Sequence, residues 1–344
     1  MISVIVPVYN VAAYLPRCLK SLEKQTEQDI EFIIVNDGST DGSDKICREF
    51  IRGKDKFRYF CKENGGLMSA WMEGVKHVRG DYVGFVDSDD YVDETMFSVL
   101  YERAKAHNNI DIVMCKFLYE HIENGNIISQ FLQNNSIEEG YYSCESFKSI
   151  KKKILPRFAT NYISPSRCNK IIKTELLKRN MKYCDLFISS GEDVNIIVPC
   201  FWAAESFCYI DKAMYHYIKN TNSISHNYKE TLQEQYIRLL SRLKTATVEY
   251  EIAVNNEEWA RVINFYGMML LRMILNSSLS RKEKKEKIQK LCRDSMFIEG
   301  ASNVQTAACN KWERAYIYSL KKENANSFSW LLFLSKLKNK LKGN

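Results

Sequence analysis

Apolar runs alternate with amphipathic segments over the first ninety residues of the chain. The apolar runs are short and rich in β-branched residues, which is typical of buried strands, and the segments between them repeat apolar residues at helical spacing. This alternation indicates βαβ units and predicts an α/β fold with a mostly parallel sheet. The predicted strands are 2–8, 30–35, 57–61 and 82–86, and the predicted helices are 12–24, 44–51 and 67–78.

The acidic tetrapeptide Asp87-Ser88-Asp89-Asp90 directly follows the fourth predicted strand. Open α/β sheets bind ligands at the carboxyl ends of their strands, so we expect these carboxylates in the binding crevice. Like charges packed there cost free energy unless a cation neutralises them, and Mg²⁺ or Mn²⁺ takes oxygen ligands. The alternative is an Asp-rich turn in which Asp90 or Asp93 caps the next helix.

Two other strand ends bring polar groups to the same crevice. Tyr9 and Asn10 follow the first strand, and Asp37 follows the second. Tyr9 can stack on a nucleobase and Asp37 can hydrogen-bond a base or ribose, so the pair suits a nucleoside. Alternatively, Asp37 closes an Asx-turn or caps a helix. Neither GxGxxG nor GxxxxGK[ST] occurs, so a nucleotide must be held without those phosphate loops.

Composition narrows the class of protein. The chain has 344 residues, 45% apolar and 26% charged, which is ordinary for a globular protein with one large domain and a smaller appendage. Eleven cysteines without a CxxC pair favour reduced thiols over a disulfide framework or zinc site. No apolar stretch approaches the roughly 20 residues of a membrane-spanning helix. The first residues lack a basic leader, so we interpret them as a strand and expect a cytoplasmic protein.

Four segments taken together resemble the family 2 glycosyltransferases, which are inverting enzymes with the GT-A fold. The segments are Val4–Asn10, Asn36–Asp41, Asn64–Leu67 and Gly80–Asp90, in the family's order and at its spacing. The resemblance implies a Rossmann-like, mostly parallel sheet flanked by helices and followed by a smaller helical C-terminal region. It divides the chain into a nucleotide-sugar-binding half at 1–110, an acceptor-side half at 111–227 and a helical region at 228–344.

The resemblance also assigns roles by position. Asp87 and Asp89 match the DXD element, in which the second aspartate usually contacts Mn²⁺ or Mg²⁺ and the first reaches ribose or sugar. Asp90 would orient the loop or the sugar hydroxyls. The remaining residues expected around the nucleotide-sugar, most often a uridine diphosphate sugar, are Pro7, Tyr9, Asn10, Asp37, Asn64, Gly65 and Ser88. Where the family often has an Arg-Asn pair, this chain has Trp71 and Met72, so the arginine's role cannot be carried over.

The segment Ser190–Asn195 resembles the family's ED element, whose aspartate is the usual general base. Glu192 and Asp193 precede an apolar segment and are expected to start a helix at the crevice. A helix N-terminus stabilises an ionised carboxylate, so Asp193 would stand ready to accept a proton. The alternative is an ordinary acidic first turn of a helix.

Three features downstream of the first half complete the predicted site. Lys170, in an Asn-Lys pair common in the family, would hold phosphate or the loop of the base; alone it would be an exposed lysine. His216 is a candidate third metal ligand, because an imidazole can complete a Mn²⁺ site, although a lone histidine is more often packed or on the surface. The segments 214–217 and 222–225 resemble the part that closes the family's catalytic domain over the diphosphate.

The C-terminal region is predicted to be helical and ends in a basic amphipathic segment. In 328–342, Trp330 and several leucines fall on one helical face and lysines flank it, so the segment suits the headgroup region of an anionic membrane. The alternative is a helix docked on its own domain or on a second subunit, as in a homodimer. The formal net charge of +7 suits an anionic ligand or membrane, whereas the pattern argues poorly for nucleic acid.

These observations predict an inverting, metal-dependent glycosyltransferase. It would move a sugar from a nucleotide diphosphate to a glycan or polyprenyl-linked acceptor in cell-surface polysaccharide synthesis, at the inner face of the membrane if the tail binds there. One alternative is a nucleotidyltransferase, which normally has a Gly-rich basic loop where this chain has Pro7-Val8-Tyr9-Asn10. Another is a catalytically inactive nucleotide-sugar-binding subunit of a glycan-synthesis complex.

Overall fold

A computed structural model describes residues 1–123, 126–133, 135–155, 162–219, 228–306 and 309–323. The chain divides into two compact units. The first comprises 1–151, 161–221 and 242–252, and the second comprises 152–160, 222–241 and 253–344. The predicted tail at 328–342 and the segment 222–225 lie outside the described residues.

The first unit is built on a single mixed sheet. Its strands are β1 (Ile2–Val8), β2 (Ile30–Asn36), β3 (Phe57–Cys61), β4 (Tyr82–Phe85), β5 (Tyr91–Val92), β6 (Ile112–Glu123), β7 (Asn126–Leu132), β8 (Gly140–Tyr142), β9 (Lys170–Lys173) and β10 (Phe207–Ile218). Their order is β3-β2-β1-β4-β9-β6-β10-β5, with β7 beside β6 and β8 beside β10. The first four and the β6–β10 pair are parallel, while β9 is antiparallel to both of its neighbours.

Helices connect the strands or follow the last of them, and several of these helices pack on the sheet. They are α1 (Leu15–Glu23), α2 (Ser43–Phe50), α3 (Leu67–Lys76), α4 (Met96–Ala106), α5 (Cys144–Ile154), α6 (Thr174–Asn180), α7 (Glu192–Ala203) and α8 (Leu232–Glu249). Every residue of β1 and β2 is buried, as the near-continuous apolar runs require for strands enclosed on both faces. The predicted α/β architecture is therefore confirmed.

The start of α1 is the clearest departure from the predicted boundaries. The sequence predicts a helix from residue 12, but the helix begins at Leu15 and carries Pro16 in its first turn. Proline is favoured there because its nitrogen has no hydrogen to leave unpaired. The helix after the acidic loop, α4, begins at Met96 with Thr95 at its N-cap, so neither Asp90 nor Asp93 caps it.

The second unit is helical within its described residues. It contains the first part of α8, followed by α9 (Asn256–Asn276), α10 (Arg281–Cys292), α11 (Ser295–Ser302) and α12 (Lys311–Lys321). Capping boxes start three of these helices, at Asn255, Ser280 and Asn310, because each of these side chains binds the backbone of the glutamate three residues on. None of the described helices has the length and apolar character needed to cross a bilayer.

Candidate functional site

The acidic loop leaves the carboxyl end of β4, and β10 holds it in place. The backbone N–H of Asp87 donates to the Tyr215 hydroxyl at 3.0 Å, and this hydroxyl donates to Asp90 Oδ2 at 2.8 Å. The backbone N–H of Ile218 donates to Asp90 Oδ1 at 2.8 Å. Burial, together with the charges of Asp89 and Asp87, raises the pKa of Asp90 well above its usual range. Asp90 therefore anchors the loop to β10.

Arg167 joins the acidic loop to the predicted base. Its side chain is almost completely buried, and its two terminal nitrogens bind Asp87 Oδ1 and, at 2.5 Å, Asp193 Oδ1. Its backbone N–H also donates to Asp193 Oδ2 at 3.2 Å. Burial alone would lower the pKa of Arg167, but the adjacent charges of Asp193 and Asp87 raise it well above its usual range. One guanidinium therefore fixes the relative position of two carboxylates that lie 106 positions apart in the sequence.

Glu192 and Asp193 form the first turn of α7, as the sequence predicts. Gly191 stands at the N-cap with φ of 81°, a left-handed conformation that glycine adopts at no steric cost. Burial raises the pKa of Glu192 to about 7, and the neighbouring charge of Asp193 adds to the shift while Arg167 opposes it. The two carboxyl groups are therefore chemically distinct: Asp193 pairs with a cation, and Glu192 titrates near neutral pH.

Asp37 organises the loop that follows β3. Its carboxylate pairs with the Lys62 ammonium at 2.8 Å and accepts the backbone N–H groups of Gly65, at 3.0 Å, and Gly66, at 2.8 Å. The Asn64 side chain donates to the Asp37 carbonyl at 3.1 Å. The structure thus brings Asp37, Asn64 and Gly65 together at adjacent strand ends, with the Asp37 carboxylate buried beneath the loop.

The turn after β1 presents the aromatic residue predicted for base stacking. Tyr9 is exposed, whereas Pro7 lies within β1 beside Val35. Asn10 has a positive φ of 50° and accepts the Thr40 backbone N–H at 2.8 Å through its side-chain oxygen. This bond ties the turn after β1 to the turn after β2, so the two predicted nucleoside-binding turns form one surface.

Lys170 lies inside the protein. It has no exposed surface, and its ammonium donates to the carbonyls of Ser164 and Ser166 and, at 2.8 Å, to Asn169 Oδ1. Burial lowers its pKa to about 8. Of the two roles considered for Lys170, these contacts correspond to holding the loop that leads to Arg167. Direct phosphate binding does not fit, because the ammonium is enclosed by protein oxygens.

His216 is predicted to complete a metal site with Asp87 and Asp89, but the structure places its ring against two other carboxylates. Its Nε2 lies 2.9 Å from Asp93 Oδ1, its Nδ1 lies 3.3 Å from Glu120 Oε1, and its ring stacks on Tyr91. These contacts fix the pairing of β5 with β10. Across the part of the chain that the structure describes, no group of three or more His, Cys, Asp or Glu side chains is arranged to hold a metal ion.

The structure adds three contacts that the sequence predictions missed. Arg167 links the two carboxylates, Lys62 pairs with Asp37, and Tyr215 holds the acidic loop. Arg167 stands three positions before Lys170 and is the one charged residue in the segment 162–169. This isolated charge was the feature of the sequence that could have pointed to it. Trp71, at the position where the family often has arginine, is fully buried and packs edge-on against Phe85, so it belongs to the core.

Comparison with known proteins identifies the family of the chain. The model of glycosyl transferase family 2 matches residues 3–179, just over half of the chain. "Uncharacterized glycosyltransferase EpsJ" of Bacillus subtilis (strain 168) is 34% identical over 241 residues, covering 69% of this chain and 67% of its own. The chain belongs to glycosyl transferase family 2 and is a glycosyltransferase.

Other relatives extend the comparison. "Glycosyltransferase GlyA" of Streptococcus pneumoniae serotype 4 (strain ATCC BAA-334 / TIGR4) is 31% identical over 249 residues, but the chain spans only 34% of that protein. Among solved structures, S. aureus TarS 1-349 in complex with UDP has a TM-score of 0.67 and 21% identity, over 95% of this chain and 88% of that one. At this identity the likeness establishes the fold alone, which is the expected GT-A fold.

Proposed function

We propose that the protein transfers a sugar, with inversion, from a uridine diphosphate sugar to a glycan or polyprenyl-linked acceptor in cell-surface polysaccharide synthesis. Family membership supports sugar transfer. The nucleotide is supported by TarS structures with UDP and with UDP-GlcNAc, the latter at a TM-score of 0.57. The acceptor class is supported by a relative from Bacillus subtilis (strain 168) named "Minor teichoic acid biosynthesis protein GgaB".

The observation that carries the proposal is the bridge from Asp87 through Arg167 to Asp193. Inverting transfer is an in-line displacement, in which the acceptor hydroxyl attacks the anomeric carbon while the diphosphate leaves on the opposite side. It needs a base for the hydroxyl and a neutralised leaving group. The bridge places the acidic loop, where the leaving diphosphate would be neutralised, and the Asp193 carboxylate, which could accept the proton, on either side of one guanidinium. Asp193 is our candidate for the base.

The donor set of the acidic loop fits Mn²⁺ or Mg²⁺. Asp87 and Asp89 offer partly exposed carboxylates at the strand end, and hard divalent ions favour such oxygen ligands together with substrate phosphates. When bound there, the ion would offset the charge that develops on the leaving diphosphate. Asp90 would keep the loop in position, because both of its carboxylate oxygens bind β10.

Asp37 and its loop are our candidates for the nucleoside end of the donor. Lys62 and the amides of Gly65 and Gly66 fix the buried carboxylate, and Tyr9 lies exposed after the neighbouring strand. An exposed aromatic ring offers a stacking face to uracil. Pro7, Asn10 and Ser88 complete the proposed donor surface, because they lie in or beside the same strand ends.

We also propose that the protein acts at the inner membrane face, with 328–342 as the candidate contact.

A thermal-shift titration with UDP and Mn²⁺ tests the nucleotide assignment. A ligand that binds only the folded protein at about 100 times its Kd adds about 2.7 kcal/mol to the free energy of unfolding, which raises the melting temperature measurably. We expect stabilisation by UDP with Mn²⁺ and a smaller effect after chelation. The rate at which the protein slowly hydrolyses each UDP-sugar to release UDP would then be compared across a panel of UDP-sugars. If neither UDP nor any UDP-sugar stabilises the protein, the proposed donor is wrong.

A further inference from the structure

A row of aromatic side chains crosses three neighbouring strands of the first unit. Tyr217 on β10 is in register with Tyr119 on β6, and Tyr119 is in register with Phe131 on β7. Residues directly opposite each other in a sheet project from the same face, so the three rings lie side by side. The Tyr119 and Phe131 rings stack with centroids 4.8 Å apart, and the Tyr119 and Tyr217 rings meet at 5.4 Å.

The inner end of this row reaches the acidic loop. Tyr215, two residues before Tyr217 on the same face of β10, donates its hydroxyl proton to Asp90, and the Ile218 backbone N–H donates to the same carboxylate. Burial, and then the charges of Asp90, Asp87 and Asp89, raise the pKa of Tyr217. Tyr217 therefore lies within electrostatic reach of all three carboxylates of the loop.

The outer end of the row is exposed. Phe131 retains 49% of its accessible surface, although it is a large aromatic residue on an edge strand. The Lys219 ammonium lies 4.2 Å from the centre of the Phe131 ring, so a positive charge marks this end. The exposed Phe131 ring continues the partly buried row to the surface, so the row offers an apolar surface to a ligand.

We propose that the row Tyr217–Tyr119–Phe131 binds the sugar rings of the acceptor glycan, with Lys219 facing an anionic substituent of that glycan. The inference rests on the proposed function, because it places the acceptor beside the donor loop. Part of the Phe131 ring stays exposed beside its stack with Tyr119, and the negative potential of exposed aromatic surface attracts the positively polarised C–H groups of a pyranose. The row starts beside the carboxylates of the acidic loop and runs outward to the surface. An acceptor glycan with one hydroxyl at the reacting centre would extend along the same direction.

Two acceptor mimics test the proposal, octyl β-glucoside and octyl β-glucuronide, which differ by one carboxylate. Their binding to the full chain would be measured by saturation-transfer NMR titration in the presence of UDP and Mn²⁺. Phe131→Ala should weaken both glycosides about 3- to 10-fold, the range of one aromatic contact. Lys219→Gln should weaken only the glucuronide. Leu132→Ala is the matched control, because Leu132 is 54% exposed on the opposite face of the same strand.

The outcomes separate this inference from the proposed function. Stabilisation by UDP tests the donor alone and should be the same in wild type, Phe131→Ala and Leu132→Ala. Weaker glycoside binding in Phe131→Ala with unchanged UDP binding supports the acceptor row. The row is rejected if neither glycoside binds the wild type at millimolar concentration, or if Phe131→Ala and Leu132→Ala bind equally well. Loss of UDP binding in the wild type would instead reject the donor assignment.

Discussion

Asp87 and Asp193 bind the two terminal nitrogens of a single buried guanidinium, that of Arg167. Asp87 follows strand β4 and Asp193 lies in the first turn of helix α7, so the arginine connects two segments of the first unit that are distant in the sequence. A buried cation between two carboxylates is stable only while both partners remain. The same contact that orients the candidate base therefore also contributes to the stability of the unit.

Removing the central cation should destabilise the protein. Arg167→Met leaves two carboxylates facing each other without a counter-charge, and breaking such a buried pair costs about 3–5 kcal/mol. Urea unfolding would measure the loss. Arg48→Met is the control, because Arg48 pairs with Asp44 on the exposed surface of α2 and should change little. Equal midpoints for the two variants would show that the bridge is unimportant for folding.

Asp193→Asn should separate donor binding from transfer. The amide keeps the size of the side chain but cannot accept the acceptor's proton, so we expect transfer to fall about 10²- to 10⁴-fold. UDP binding should remain. Glu175→Gln serves for comparison, since Glu175 also stands in the first turn of a helix, α6, and is highly exposed. Transfer by Asp193→Asn at the wild-type rate would exclude Asp193 as the base.

Glu192 should make stability fall as the pH rises towards neutrality. Its pKa is about 7 in the folded protein and near 4.5 in the unfolded chain, so the folded state binds more protons between these values. The contribution of Glu192 is therefore fully present below pH 4.5 and is lost as the pH rises through 7. Glu192→Gln should remove this loss and be more stable than wild type at pH 8 by roughly 3 kcal/mol.

Urea unfolding at pH 5 and pH 8 would measure this difference for Glu192→Gln and for the exposed variant Glu175→Gln. The second variant should follow the wild-type pH dependence. If Glu192→Gln also loses stability between the two pH values to the wild-type extent, another group is responsible for the slope.

Asp37→Asn should weaken nucleotide binding. The substitution removes the charge partner of Lys62 and places an amide against the backbone N–H groups of Gly65 and Gly66, so the loop loses charge-assisted hydrogen bonds. Such bonds are worth about 1.5–3 kcal/mol, so we expect at least about a tenfold weaker UDP affinity by calorimetry. Asp55→Asn, on the exposed surface, should bind UDP like wild type.

Manganese dependence should distinguish Asp89 from His216. Asp89→Asn removes a candidate oxygen ligand and should raise the half-saturating Mn²⁺ concentration for UDP-sugar hydrolysis at least about tenfold. His216→Gln should leave that concentration unchanged, because the imidazole faces Asp93 and Glu120. A matching rise in the histidine variant would restore His216 as a ligand, and chelation of the wild type should abolish hydrolysis.

The sequence was sufficient to predict the parallel half of the fold, because the strands there are short apolar runs and turn-forming residues follow them. Strands β1 to β4 and the helices between them follow the predicted order, with boundary shifts of a few residues. The antiparallel strand β9, inserted between β4 and β6, gave no comparable signal, because four residues cannot reveal their neighbours. Pairings between distant segments depend on tertiary packing that periodicity does not encode.

Local sequence motifs also decided which residues of the candidate site could be predicted. Asp87 and Asp193 belong to motifs with local order, and the structure brings them together. Arg167, which joins them, belongs to no regular pattern, so its role becomes visible only after folding. The partners of His216 were not predicted, because an imidazole near a strand end does not reveal its neighbours, which here are two carboxylates on other elements.

The sulfur of Cys168 lies 3.5 Å from Asp87 Oδ2 and is almost fully enclosed. Burial, and then the charge of Asp87, raise the pKa of this thiol well above its usual range, so it resists alkylating reagents while the surrounding residues stay closed. Cys61 and Cys144 are exposed and would be modified first. The chain thus contains a native chemical probe, and the alkylation rate of Cys168 would show how often the candidate site around Asp87 opens.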